Sequence, residues 1–201
     1  GIVSYCDALA SIVVSEQNTT FDSRDNCNSV VETATNTIIA TCTQSLIPNS
    51  VTTIGVCAFF GRNDLTHITI PEHITTIDDY AFSNCTSLES VSIGDNLKSI
   101  GDYAFRSCKA MTSFSIGKDV DSIMQWAFMD CGKLETFICN AVTPPTTQWG
   151  TFDVSPTAIL YVPEESVDLY KNDRQWKYFY RILPLNHSYK DQWCDKWNML
   201  Y

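Results

Sequence analysis

Nine cysteines, three histidines and a few paired carboxylates are the side chains here with chemistry to offer, and their spacing decides what they are for. The histidines are His67, His73 and His187, and neither H-E-x-x-H nor C-x-x-C occurs, so no set of zinc ligands is spelled out. No G-x-S-x-G nucleophile turn and no glycine-rich phosphate loop occurs either. Asp78-Asp79 and Glu164-Glu165 are adjacent pairs, whereas a glycosidase sets two carboxylates on opposite sides of a bond. These pairs read as a solvated turn and a helix start. Asp22-Ser23-Arg24-Asp25-Asn26 offers oxygens suited to calcium but without the spacing of a calcium loop, so it reads as an Asx-rich turn. No catalytic, cofactor-binding or metal-binding residue is assigned, and the chain is not expected to be an enzyme.

The cysteines follow a different logic. Cys85, Cys108 and Cys131 recur every 23 residues, and so does Ala-Phe, at Ala58-Phe59, Ala81-Phe82, Ala104-Phe105 and Ala127-Phe128. A fixed period of this length marks a stack of coils, each too small to bury its own apolar stripe. Three full blocks start at Leu65, Leu88 and Met111, and overlaying them gives apolar columns. Leu65, Leu88, Met111 and Leu134 form one; Ile68, Val91, Phe114 and Phe137 the next; Ile70, Ile93, Ile116 and Cys139 a third, with Ile47 extending it backwards; Ile54, Ile77, Ile100 and Ile123 a fourth. Each block opens L-x-x-V-x-I, which suits a short strand, and Pro71, Gly94 and Gly117 break it at the same place. The expected fold is a repeat solenoid with a parallel β-sheet on one face, turns, irregular or short helical segments on the other, and a mixed α/β C-terminal cap.

Column membership explains five cysteines as small buried hydrophobes: Cys85, Cys108 and Cys131, with Cys139 in the isoleucine column and Cys42 in the leucine column. Side chains in one column point the same way, so free thiols are expected there. Cys27, Cys57 and Cys194 are less constrained, and the sequence leaves their pairing open.

The stretch LESVSIGDNLKSIGDYAFRSC resembles the leucine-rich repeats of the BspA-like class, and the resemblance covers roughly residues 42–183. It implies a bacterial protein, secreted or at the cell surface. The chain divides into residues 1–8, the end of a truncated coil; 9–41, a longer repeat whose Leu9–Val14 reads as a strand start and whose Val30–Glu32 and Thr37–Ala40 read as a hairpin; 42–133, four coils of 23 residues; 134–185, a cap; and 186–201, a tail. Cys6 and Leu9 keep the spacing of Cys85 and Leu88, so further coils are expected upstream. The first coil, 42–64, is weak, with Ser45 in the second column and Arg62 in the cysteine column. After Lys133 the register is expected to fail, although Gly150-Thr151-Phe152 looks like a degenerate Ala-Phe. The ending YVPEESVDLYKNDRQWKYFYRI resembles the family's C-terminal cap. Tyr189, Trp193 and Trp197, spaced by four, suggest a short amphipathic helix that packs on the cap.

Thirteen Lys and Arg against 23 Asp and Glu give a net charge of −10, which disfavours nucleic acid as a partner. The segment has no apolar run of membrane-spanning length. Asn18, Asn84 and Asn186 begin glycosylation sequons that matter only in a eukaryotic secretory pathway. Two surfaces are candidates for function. One is the outward strand face: Thr66, His67, Thr69, Glu89, Ser90, Ser92, Thr112, Ser113, Ser115, Glu135 and Thr136. The other is the column Tyr80, Tyr103 and Trp126, whose rings suit a sugar or an apolar protein surface. With the resemblance, the expected function is a non-catalytic binding module of a bacterial surface or secreted protein, acting in protein–protein interaction or adhesion through the strand face, with the ligand, a protein or a glycan, left open. A spacer that holds other domains off the envelope is the alternative, and carbohydrate binding through the aromatic column is another. A monomer is expected.

Overall fold

The computed structural model describes residues 3–6 and 8–185. The tail expected to form a helix, with Cys194, lies outside the described residues. From Leu65 onward each 23-residue coil lays down one strand on each side of the stack. The first set builds a six-stranded sheet, parallel throughout and in chain order: His67–Ile70, Ser90–Ile93, Ser113–Ile116, Thr136–Cys139, Ile159–Val162 and Arg181–Pro184. Its register follows the period, with His67 beside Ser90, Ser90 beside Ser113 and Ser113 beside Thr136. The second set, on the far side, is a ladder of two-residue strands: Thr53–Ile54, Thr76–Ile77, Ser99–Ile100, Ser122–Ile123 and Thr146–Thr147. The hairpin Ser29–Glu32 with Thr37–Thr41 forms as expected. Its second strand joins the far ladder, setting Ile38 directly beside Ile54 and so starting the isoleucine column one coil early.

The core is a set of ladders running the length of the stack. Phe59, Phe82, Phe105, Phe128 and Phe152 stack at centroid separations of 4.7, 5.1, 5.6 and 5.8 Å. Alanine precedes each of the first four, so the chain can carry the ring into the interior, and Thr151 fills the same place before Phe152. The backbone is continuous there: the N–H of Phe59, Phe82, Phe105 and Phe128 donates to the carbonyl of Ala81, Ala104, Ala127 and Thr151 in the next coil.

On both sides of these rings the chain turns sharply, through left-handed backbone. Cys57, Tyr80, Tyr103 and Trp126 have φ of 57–58°, a second column of Asn84, Ser107 and Asp130 has φ of 58–61°, and glycine takes the equivalent places at Gly61 and Gly150. A left-handed L-residue costs on the order of 1–2 kcal/mol. The conformation turns the N–H of Cys57, Tyr80 and Tyr103 to the carbonyls of Asp79, Asp102 and Gln125 in the next coil, which offsets the strain. Carboxylates tie the corners too: Asp79 accepts from the Asp102 N–H at 2.7 Å, and Asp102 from that of Gln125 at 3.0 Å.

Three expectations need correction. Leu9–Val14 is not a strand, because the N–H groups of Ile12 and Val14 bond to the side chains of Asn28 and Ser23 instead of a neighbouring backbone. The coil 42–64 contributes no strand to the six-stranded sheet, since Leu46 donates its N–H to Cys27 and Ser45 Oγ caps the N–H of Cys42. In the cysteine column of this coil, Arg62 is 4 % exposed and pairs through two nitrogens with Asp64, each at 2.7 Å. That guanidinium holds the Asp64 carboxyl below the usual range. Third, the register persists beyond Lys133. Thr136–Cys139 and Phe152–Val154 stack on the preceding coil, with one extra residue taken up before Thr146.

The C-terminal end is closed by the helix Val167–Asn172 and the turn Trp176–Tyr178. Trp176 is fully buried against Phe137, Phe152, Tyr170 and Phe179, and its indole N–H donates to Pro145 O at 3.0 Å.

Candidate functional site

On a β-strand alternate side chains face opposite ways. In the six-stranded sheet Ile68, Val91, Phe114 and Phe137 face the core, so their neighbours face out. Two outward columns result. One runs His67, Ser90, Ser113, Thr136, Ile159 and Arg181; the other runs Thr69, Ser92, Ser115, Ile138, Tyr161 and Leu183. Thr66, Glu89, Thr112 and Glu135 flank the strands as an exposed row at the entry corner. Of the expected face, Thr66, His67, Thr69, Glu89, Thr112 and Glu135 are exposed, and Ser92, Ser115 and Thr136 are half-buried. Ser90 and Ser113 are buried, which corrects their place on the accessible surface: the His67 ring covers Ser90, with Nδ1 2.8 Å from Ser90 Oγ, and Ser113 is too small to emerge between its neighbours. His67 Nε2 also lies 3.8 Å from Glu89 Oε2. The N-terminal half of the sheet therefore presents a flat, hydroxyl-rich face with one acid–imidazole pair.

The same columns change character at the other end. Where Thr69, Ser92 and Ser115 stand in early coils, Ile138, Tyr161 and Leu183 stand in later ones, and Ile159 occupies the adjoining column. Reading strand periods without pairing partners beyond Lys133 missed this patch. The signal was present in T-F-I-C, which puts isoleucine where the preceding coil has Ser115.

The aromatic column is a column in space. Tyr80 and Tyr103 stack at 4.9 Å with ring planes 8° apart, so each covers a face of the other. Trp126 packs over the empty Cα face of Gly150, where a Cβ would come within 2.6 Å of its ring. Trp149, 70 % exposed, meets Trp126 edge-on at 4.8 Å. Sugars stack on ring faces, and most of these faces are already used.

Among the described residues the column thiols and the Asp78-Asp79 pair are held in structural contacts. All eight described cysteines are free. The thiols of Cys85, Cys108 and Cys131 each donate to a carbonyl of the preceding coil, Phe59, Phe82 and Phe105, at 3.0, 3.3 and 3.2 Å. Burial pushes Cys85 and Cys131 up to about 12 and Cys108 well above the ordinary thiol value. Thiolate is the reactive form, so these thiols are inert. Exposed Cys6 should therefore be alkylated by iodoacetamide in the native protein, while Cys85, Cys108 and Cys131 react only on unfolding. The unfolded thiols lose a proton near 9, while folded Cys85 and Cys131 hold theirs until about 12 and Cys108 is held well above its ordinary value. Stability from this column is thus intact below pH 9 and falls as pH rises toward 12, because unfolding there releases protons. Rising stability across that range in thermal melts would contradict the assignment. Near the N-terminus, Arg24 occupies the Asp22 carboxylate through Nε and Nη2, at 2.9 and 2.7 Å, which leaves a calcium ion little to bind. Glu164 and Glu165 are exposed on a helical turn. Burial, then the adjacent Asp79, raises the Asp78 carboxyl. Among the described residues no group of three or more His, Cys, Asp or Glu could hold a metal ion, and no helix is long and apolar enough to cross a membrane.

A family model described as a BspA type leucine rich repeat region, of six copies, matches residues 39–144. No curated protein matches the chain. Among solved structures, a leucine rich cell surface protein from Faecalibacterium prausnitzii A2-165 is similar, with TM-score 0.61 and 20 % identity over 94 % of this chain and 46 % of that one. The T. pallidum leucine-rich repeat protein is similar with TM-score 0.56 and 15 % identity, over 92 % of this chain and 95 % of its own. A leucine-rich repeat protein from Eubacterium ventriosum gives TM-score 0.53 and 16 % identity, over 91 % of this chain and 53 % of that one. The chain spans about half the length of the first and third of these. At such identities the likeness is one of fold.

Proposed function

We propose that this chain, which belongs to the BspA type leucine-rich repeat family, is a non-catalytic binding module of a bacterial surface or secreted protein, engaging a protein ligand through the outward face of its six-stranded sheet. The observation that supports this most is the register of that face. Successive coils repeat the same hydroxyl-bearing positions with exposed Thr66, His67, Thr69, Glu89 and Thr112 around them, which makes a broad, flat and uncharged centre with an acidic edge. Solenoids use such extended faces for recognition. The F. prausnitzii neighbour is itself described as a cell surface protein, which favours the compartment. The buried, protonated thiols, and acid pairs that sit side by side in sequence, favour a role without catalysis.

The experiment is a substitution series on an array of secreted and cell-surface proteins, with a glycan array alongside. Glu89→Lys, Ser92→Lys and Ser115→Lys should each weaken the retained protein spots by roughly tenfold, about 1.4 kcal/mol, while the thermal unfolding midpoint stays within a few degrees. A spacer would show no spot that these variants remove. Carbohydrate binding through the aromatic column would appear as glycan spots lost in Trp126→Ala; the mutual stacking of Tyr80 and Tyr103 weighs against it.

A further inference from the structure

We propose that the groove beside the loop of residues 141–145 binds an extended peptide of a partner protein, with a lysine or arginine side chain of that peptide reaching the Asp121 carboxylate. The groove has a volume of about 500 Å³, within the ordinary range of ligand sites. It owes its existence to one added residue. Lys118, Asp119, Val120 and Asp121 lead from one sheet to the other in one coil, and five residues, 141–145, do so in the next. Lys118 and Asp119 send their N–H groups back to the carboxylate and the carbonyl of Asp95, each at 3.2 Å. Among the described residues Ala141 and Val142, at the equivalent positions, make no such bond to the coil before, so the two segments part there. Val120 and Ala141, 4 % and 2 % exposed, make an apolar floor, and Val142, 51 % exposed, is the lip. Pro144 and Pro145 stiffen the wall, and the cap anchors it: Tyr170 Oη donates to Ala141 O at 2.9 Å and the Trp176 indole N–H to Pro145 O at 3.0 Å. A wall already fixed loses little freedom when a ligand enters. Charge selects the ligand. Asp119 lies 3.6 Å from Lys98 Nζ and 3.5 Å from Lys118 Nζ, and Asp95 takes Lys118 as well, at 3.5 Å. Both lysines are thereby matched. Asp121 is the acid left over. It is exposed, and among the described residues its carboxylate has neither a hydrogen bond nor an ion pair, while its carbonyl is fixed by Thr146 N and Oγ1 at 2.9 and 3.0 Å. A spare carboxylate in a groove selects a cation with N–H donors, and the apolar floor and lip suit the aliphatic stem of lysine or arginine. The N–H groups of Val142 and Thr143, unbonded among the described residues, are available to peptide carbonyls, which favours a peptide over a lone amine. The groove lies beyond the ends of Ser113–Ile116 and Thr136–Cys139, so it can be filled whether or not the outward strand face binds a ligand.

Nuclear magnetic resonance titration of the isotope-labelled full chain tests this, with a pentapeptide blocked at both ends whose central arginine is flanked by valines, and with its glutamine and glutamate counterparts. The arginine peptide should move the amide signals of Val142, Thr143 and Thr146, and should bind about fivefold tighter than the glutamine peptide. Asp121→Asn should abolish that preference. Glu16→Gln, which deletes one exposed negative charge in the first repeat, should keep it. Both variants change exposed side chains, and unmoved signals in the other coils confirm that the fold is intact. Three results would overturn the proposal: groove amides that stay in place at millimolar arginine peptide, an arginine preference that persists in Asp121→Asn, or a glutamate peptide that binds tighter than the arginine one, which would make Lys98 and Lys118 the recognition groups and the ligand an anion.

Discussion

Phe105→Ala should destabilise the protein by about 3–5 kcal/mol. The ring is fully buried, stacked between Phe82 and Phe128 and met edge-on by Phe114 at 4.8 Å. Its neighbours above and below belong to rigid coils whose spacing is set by the backbone ladder, so the cavity cannot collapse by moving one coil toward the next. At about 2–4 °C per kcal/mol for a domain of this size, the unfolding midpoint should fall by roughly 6–20 °C. Tyr103, two residues away, is the internal control. It is half-buried at the coil corner, and alanine removes one stacked face while keeping the left-handed backbone. Its cost should be clearly smaller. Equal midpoint shifts for the two variants would mean that the inward and outward positions are misassigned.

Trp176→Ala should be about as costly, 3–5 kcal/mol, but should look different. Trp176 is the stopper at the C-terminal end, where a stack of coils otherwise exposes its last apolar layer. Its loss uncovers Phe137 and Phe152 and leaves the carbonyl of Pro145 without its donor. The last coils should then fray ahead of the rest, so unfolding should begin earlier and lose cooperativity, whereas Phe105→Ala shifts one transition as a whole. Trp176→Phe separates the two contributions. It keeps most of the apolar contact and removes the hydrogen bond, and should cost about 1–3 kcal/mol for the unsatisfied carbonyl.

The solenoid was legible because it rests on repetition. Four Ala-Phe pairs and three cysteines in one register admit one arrangement in space, and the columns they name are the columns observed. Legibility failed where a local side chain captures a backbone group. Asn28 and Ser23 take the amides of Ile12 and Val14, and Ser45 takes that of Cys42, so sequences with strand-like periods do not pair. It failed again where one residue was added: the extra position before Thr146 breaks the 23-residue count, so Gly150-Thr151-Phe152 reads only as a degenerate Ala-Phe until its pairing with Phe128 restores the register. The left-handed column of Tyr80, Tyr103 and Trp126 was not legible from its own residues, which are unusual for such a backbone; Gly61, Asn84, Asp130 and Gly150 are of types that suit it, but they do not recur as a pattern. For the candidate face, the inward-outward alternation was readable, but the burial of Ser90 and Ser113 depends on how close their neighbours stand.

Ring-to-ring nuclear Overhauser effects in a phenylalanine-labelled sample test the stacking of successive coils most directly. Centroid separations of 5.1 and 5.6 Å predict strong effects from Phe82 to Phe105 and from Phe105 to Phe128, and none between Phe82 and Phe128, which the middle ring holds apart. Phe105 signals that reach neither of the other two rings would contradict the account.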